Sequence, residues 1–174
     1  HNIRLGFDAN VEGLRTAMAS RDAVLHISTH AVLNTEQPQL SGLVLSLYDE
    51  RGDPQDGVFY AMDLYDEHLQ HELLVLSACD TALGKEIRGE GMVGLTRAAF
   101  FAGCPRVVST LWQVDDRATA YLMTEFYEEL LVSQRSAPEA LRIAQQRVRS
   151  TESWGHPYYW AGFVFQGNWN DIQW

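Results

Sequence analysis

The 174-residue chain is poor in cysteine, with two, and in proline, with five. Two thiols, Cys79 and Cys104, cannot build the disulfide scaffold of a small secreted domain, and such sparing use fits a reducing compartment. No apolar run is long enough to span a bilayer, and no signal peptide is visible, so a cytoplasmic setting away from membranes is expected. Basic residues are few, 13 against 23 acidic ones, for a formal net charge of −10. A nucleic-acid partner would favour a basic face, so direct binding to nucleic acid is not expected. Metal-ligand patterns are also missing. There is no Cys-x-x-Cys, and His26 and His30 are four residues apart in a strand-like run rather than on a helix. No metal or cofactor is expected. The chain opens on His1-Asn2-Ile3 without Met, which reads as a fragment of a longer protein, most naturally its carboxyl-terminal part.

Hydrophobic residues make up 46% of the chain, enough for a core, and the length fits one domain over residues 1–174. Asp8–Ala19 reads as a helix with Val11, Leu14 and Met18 on one face. Ala23–Ser28 barely alternates and reads as a strand buried on both faces. Asn34–Ser41 is a loop, Gly42–Tyr48 a strand, Asp49–Asp56 a turn, Val58–Tyr60 a short strand and Ala61–Glu67 a short helix. Leu73–Ser77 is an apolar strand, Asp80–Glu90 a loop with Gly84 and Gly89, and Gly91–Ala102 a packed helix stopped by Gly103. Arg106–Thr110 is a β-branched strand. Asp116–Leu131 is a long amphipathic helix, with Asp115 or Asp116 as its cap. Ser136-Ala137-Pro138-Glu139 opens a helix to about Arg149, and Tyr159–Phe165 is a last strand. Strands alternating with helices predict an α/β sandwich with a mostly parallel central sheet.

In such sheets the functional crevice lies beyond the carboxyl ends of the strands. His30 ends one apolar run and Cys79 another, 49 positions later. Either residue alone reads as structural, since free cysteine is among the most buried residue types. Together they read as a thiol nucleophile and its base. An imidazole raises the thiolate fraction, and its proton can pass to a leaving amine. The N–H groups of Cys79 and Ala31 are candidate oxyanion donors. Asp115 and Asp116 follow a third strand end, where a carboxylate can hold a basic side chain of a substrate. Cys104 and His156 read as structural, and Lys85 stands where a phosphatase loop would need arginine.

The motifs resemble the CHAT domain, a caspase-like and separase-related cysteine peptidase domain. They are Leu25-His26-Ile27-Ser28-Thr29-His30, Leu74-Val75-Leu76-Ser77-Ala78-Cys79-Asp80-Thr81-Ala82-Leu83-Gly84, Gly89 to Phe100, Ser109 to Thr119, and His156 to Phe163. The resemblance implies a caspase-haemoglobinase-like αβα sandwich, with His30 as base and acid and Cys79 as nucleophile. The Leu-Trp-x-Val-x-Asp stretch is similar to one in separases, which implies that Asp116, with Asp115 beside it, recognises arginine before the scissile bond; Asp80 is a further candidate for that pocket. The family usually has glycine after the histidine, where this chain has Ala31; alanine keeps the N–H but is strained if the turn needs positive φ. The implied function is a cysteine endopeptidase cleaving a protein partner after Arg or Lys, in a bacterial signalling or defence setting, controlled by a tetratricopeptide or other repeat region or by a partner. Lys85 and Arg88 mark a candidate autoprocessing or activation loop. The alternative is a catalytically silent caspase-like scaffold or binding module.

Overall fold

A computed structural model describes residues 2–80 and 90–172. Six strands form one sheet in the order β3-β2-β1-β4-β5-β6, with β1 at Val24–Val32, β2 at Gly42–Val44, β3 at Val58–Tyr60, β4 at Leu73–Asp80, β5 at Arg106–Thr110 and β6 at Phe163–Gly167. The central strands β1, β4 and β5 pair in parallel, and β2, β3 and β6 join by antiparallel pairings. Because β3 is antiparallel to β2, it points the same way as β1, so only β2 and β6 run against the rest. The sheet is mixed and mostly parallel in direction, as the α/β reading requires.

Helices α1 (Val11–Met18), α2 (Ala61–Leu64) and α3 (Glu90–Phe101) lie on one face, and α4 (Asp116–Tyr127) and α5 (Ala137–Arg149) on the other. The pleat of β4 divides its side chains between these layers. Leu74 and Leu76 join Leu14, Met18, Leu95 and Ala99 in one core, while Leu73 and Val75 join Leu122, Phe126, Leu141 and Val148 in the other. Near-continuous apolarity in β4 and β5 follows from burial on both faces.

Strand β1 differs from its expected burial. Ile27 and Ala31 are buried on the α1 side, but His26, Ser28, His30 and Val32 are exposed on the other. The α4–α5 core reaches β4, β5 and β6 and touches β1 at Val24, and Tyr127 lies against His26, so this face of β1 is exposed from Ser28 onward. The strands before the site are also longer than expected. β1 continues through His30 to Val32, and β4 through Cys79 to Asp80, because each keeps a partner in register. Conversely β2 ends at Val44: Leu45 donates its N–H to the Gly57 carbonyl, 2.7 Å, and Ser46 to that of Ala9, 2.8 Å, which draws the chain away from β1.

Helix α1 starts three residues beyond the end of a short 3-10 turn, with the Asn10 side chain capping the Gly13 N–H at 2.8 Å. The long helix expected to Leu131 is α-helical to Tyr127 and continues to Val132 as a π-helical turn. The aromatic Pro157–Tyr159 forms a 3-10 turn rather than the start of β6, capped by His156, whose Nδ1 accepts the Tyr158 N–H at 3.2 Å. No helix among the described residues is long and apolar enough to cross a membrane. The loop carrying Lys85 and Arg88 lies outside the described residues.

Candidate active site

Parallel pairing of β1 with β4 runs in unbroken register from Val24 opposite Leu73 to Ala31 opposite Asp80. It places His30 opposite Cys79. Directly paired residues of adjacent strands share a face, and the strands lie about 4.8 Å apart. His30 and Cys79 thus occupy one face, near the carboxyl ends of both strands, two residues from the end of β1 and one from the end of β4. That face is the one α4 and α5 cover farther along the sheet. At His30 it is open, and the imidazole is exposed.

Asp115 and Asp116 divide into two roles. Asp115 is the N-cap of α4, and its Oδ1 accepts the N–H groups of Arg117 at 3.0 Å and Ala118 at 2.9 Å. Its carboxylate is therefore committed to the helix. Asp116 is the first helical residue and is exposed, at the amino end of the helix that packs on the His30–Cys79 face. Asp80 pairs with Ala31, one position past Cys79, which the pleat places on the opposite face of the sheet.

Ala31 is fully buried and lies within β1, in register with Leu43 on one side and Asp80 on the other. Its backbone is extended, and the one non-glycine residue with positive φ among the described residues is Gln134. Alanine in place of glycine carries no left-handed strain here. Cys104 is buried, donates to the Arg106 carbonyl at 3.2 Å, and burial pushes its thiol pKa up. It is structural, as its Gly-Cys-Pro setting indicated.

Two neighbours of the site were not singled out by the sequence. Trp112 lies two residues past the end of β5, the strand that pairs with β4 as far as Ser109 opposite Leu76. Trp112 is 38% exposed, and its indole N–H donates to the Tyr158 carbonyl at 3.1 Å. The signal existed in the Leu-Trp stretch, but its bond to Tyr158 is a tertiary fact. The second is Tyr127, whose ring lies 5.7 Å from that of His26 on the His30 face of β1. Desolvation raises the Tyr127 pKa and lowers that of His26, so both are neutral near pH 7. The His26 ring is crowded by Tyr127 although the residue retains exposure. His26 and His30 stand four residues apart in one extended strand, about 13 Å, and no metal-holding cluster occurs among the described residues.

The CHAT domain family model matches residues 1–168. The chain belongs to the CHAT domain family. This CHAT domain is similar to mouse tetratricopeptide repeat protein 28, 37% identical over 108 residues, and to the human protein of the same name, 33% identical over 114 residues. These alignments cover 62% and 66% of the chain but 4% of each relative. The CHAT domain thus spans a small part of those proteins, both of which are named for tetratricopeptide repeats. Both are mammalian, so they lend nothing to a bacterial setting. CHAT domains are a caspase-like family, and the parallel β1–β4–β5 core between helical layers agrees with that relationship.

Proposed function

We propose that this CHAT domain is a cysteine endopeptidase in which Cys79 is the nucleophile and His30 its base, cleaving a protein partner after Arg or Lys. The observation that carries the reading is the register of His30 opposite Cys79. In the proposed cycle the Cys79 thiolate attacks the scissile carbonyl carbon and forms a C–S bond. The peptide C–N bond breaks as imidazolium at His30 gives its proton to the leaving amine. Water, deprotonated by His30, then hydrolyses the thioester and regenerates the thiol. The N–H groups of Cys79 and Ala31 are the proposed oxyanion donors. For Ala31 this role requires the end of β1 to turn that N–H toward the substrate. Asp116 is the proposed partner of the basic side chain, supported by its exposure on the same side of the sheet. A repeat region or activating partner is the proposed control, in line with the relatives' names.

The test is cleavage of a peptide library varied at the residue before the bond, by wild type, Cys79→Ala and Asp116→Asn. Cys79→Ala is expected to lose at least about a thousandfold in kcat/KM. Asp116→Asn is expected to lower the preference for Arg over Gln by about 10- to 100-fold, the worth of a charge-assisted hydrogen bond. Equal turnover by wild type and Cys79→Ala would remove Cys79 as nucleophile. A chain that stays silent, with an unreactive Cys79, when supplied with its repeat region would be a scaffold.

A further inference from the structure

We propose that the outer edge of β1, from Val24 to Thr29, is a docking groove for an extended peptide segment, which adds to the sheet as a strand and carries apolar residues alternating with acidic ones. Strand β2 pairs with β1 at His30, Ala31 and Val32 and nowhere else. On that side Val24–Thr29 has no strand neighbour among the described residues, although β1 is interior to the sheet. Every second residue of a strand directs its N–H and C=O to one side, so about 20 Å of edge carries backbone groups that β4 cannot reach. Unpaired edges of this kind accept a further strand.

A cavity of about 160 Å³ follows this edge. Its lining includes every residue from Leu25 to Thr29, from both faces of the pleat, which identifies it as a groove along the backbone rather than a pocket on one face. Leu14 and Ala17 of α1 form one wall, and Leu45 forms the end where the chain leaves β1. Leu25 and Ile27 share the α1 face with Leu14, so the occupant's side chains on that face meet apolar surface. On the other face Tyr127 lies against His26, and Ser28 leaves the surface polar and exposed.

Charge selects among occupants. The molecule is strongly acidic, yet the groove is lined by no Asp or Glu and includes Arg4, whose side chain lies beside Gly13 of α1. Arg4 is exposed and has no ion pair with a described residue. An acidic residue on the incoming strand would complete that pair. A second copy of the chain fits less well. Its own α1 and Leu45 would meet these walls before two recessed edges could touch, whereas a single extended segment enters between them. Docking at this edge does not depend on catalysis, but its consequence reaches the site, because β1 also carries His30.

The test uses the chain with a fluorescein-labelled peptide, acetyl-Val-Glu-Val-Asp-Val amide, read by anisotropy and by amide hydrogen exchange. Two control peptides have alternate backbone amides N-methylated, or Lys in place of both acids. Binding of the parent is expected to slow exchange at alternating amides between Val24 and Thr29. N-methylation is expected to weaken binding at least about tenfold, as is Ala17→Phe, which fills the groove. Arg4→Glu is expected to reverse the preference between acidic and Lys peptides. Circular dichroism checks that the variants fold, and the N-methylated peptide on wild type needs no variant. The proposal is overturned by absence of binding at millimolar peptide, by equal binding of the N-methylated form, by binding without protection of these amides, or by self-association that protects them without peptide.

Discussion

His71 is 1% exposed and its Nδ1 has no hydrogen-bond partner among the described residues, while its Nε2 lies 3.4 Å from the Ser20 hydroxyl. Desolvation lowers its pKa, against the pull of Asp22 and the Ala17 carbonyl in the other direction. A histidine that resists protonation when folded binds fewer protons than the unfolded chain below about pH 6.5. Stability therefore falls as pH drops through that value, and His26, shifted the same way, adds to the slope. Thermal melts between about pH 7.5 and 5 are expected to show a declining Tm, and His71→Gln is expected to flatten the decline. A Tm that rises on acidification in this window would contradict the assignment. At the start of α4 the two aspartates separate in one experiment. Asp115→Ala removes a cap and is expected to cost about 1 kcal/mol in urea unfolding, with Arg selectivity unchanged. Asp116→Asn is expected to leave the unfolding midpoint nearly in place and change selectivity instead.

At the scale of elements, α4 and α5 are joined by more than apolar packing. Glu129, in the π-helical turn, accepts from Arg135 at 2.8 Å and from Arg147 of α5, which also bonds Glu125. Burial opposes ionisation of Glu129, but the two guanidinium groups outweigh it and its pKa is lowered. The stability this supplies is present above the ordinary carboxylate range and is lost as pH falls through the lowered value. Glu129→Ala leaves two arginines without their shared partner and is expected to lower Tm at pH 7 more than at pH 3. The apolar side of the same helix offers a larger effect. Phe126 is fully buried in the core beneath α4, and Phe126→Ala is expected to cost about 3–5 kcal/mol by denaturant titration. The turn into α5 was readable from Ser136-Ala137-Pro138-Glu139, because proline in a first helical turn fits local backbone chemistry. The π-helical turn was not, since it depends on where α4 and α5 meet. At the end of β6, Gly167 has φ +112°, and a Cβ there would lie 2.2 Å from the Pro105 carbonyl, so any side chain would shift the β5–β6 pairing. That glycine too gave no sign of its role in isolation.

Across the whole molecule, the sheet is one surface whose two sides are finished to different extents. The α4–α5 layer covers β4 to β6, while His30 on the same face of β1 is exposed. Apolar runs, breaker residues and helix signals fixed the order of elements, because period and turn chemistry are local properties. They also placed both candidate residues near strand ends and named the family through a series of ordered motifs. Only the tertiary structure decided that β1 pairs with β4 in the register that sets His30 opposite Cys79, since sequence spacing does not determine register between strands 49 residues apart. It alone committed Asp115 to a helix end and showed that β2 leaves β1 at Val44. The physical reason is the same in each case. A residue's type and neighbours set its chemistry, but its face, its partner and its exposure depend on what packs against it from distant parts of the chain.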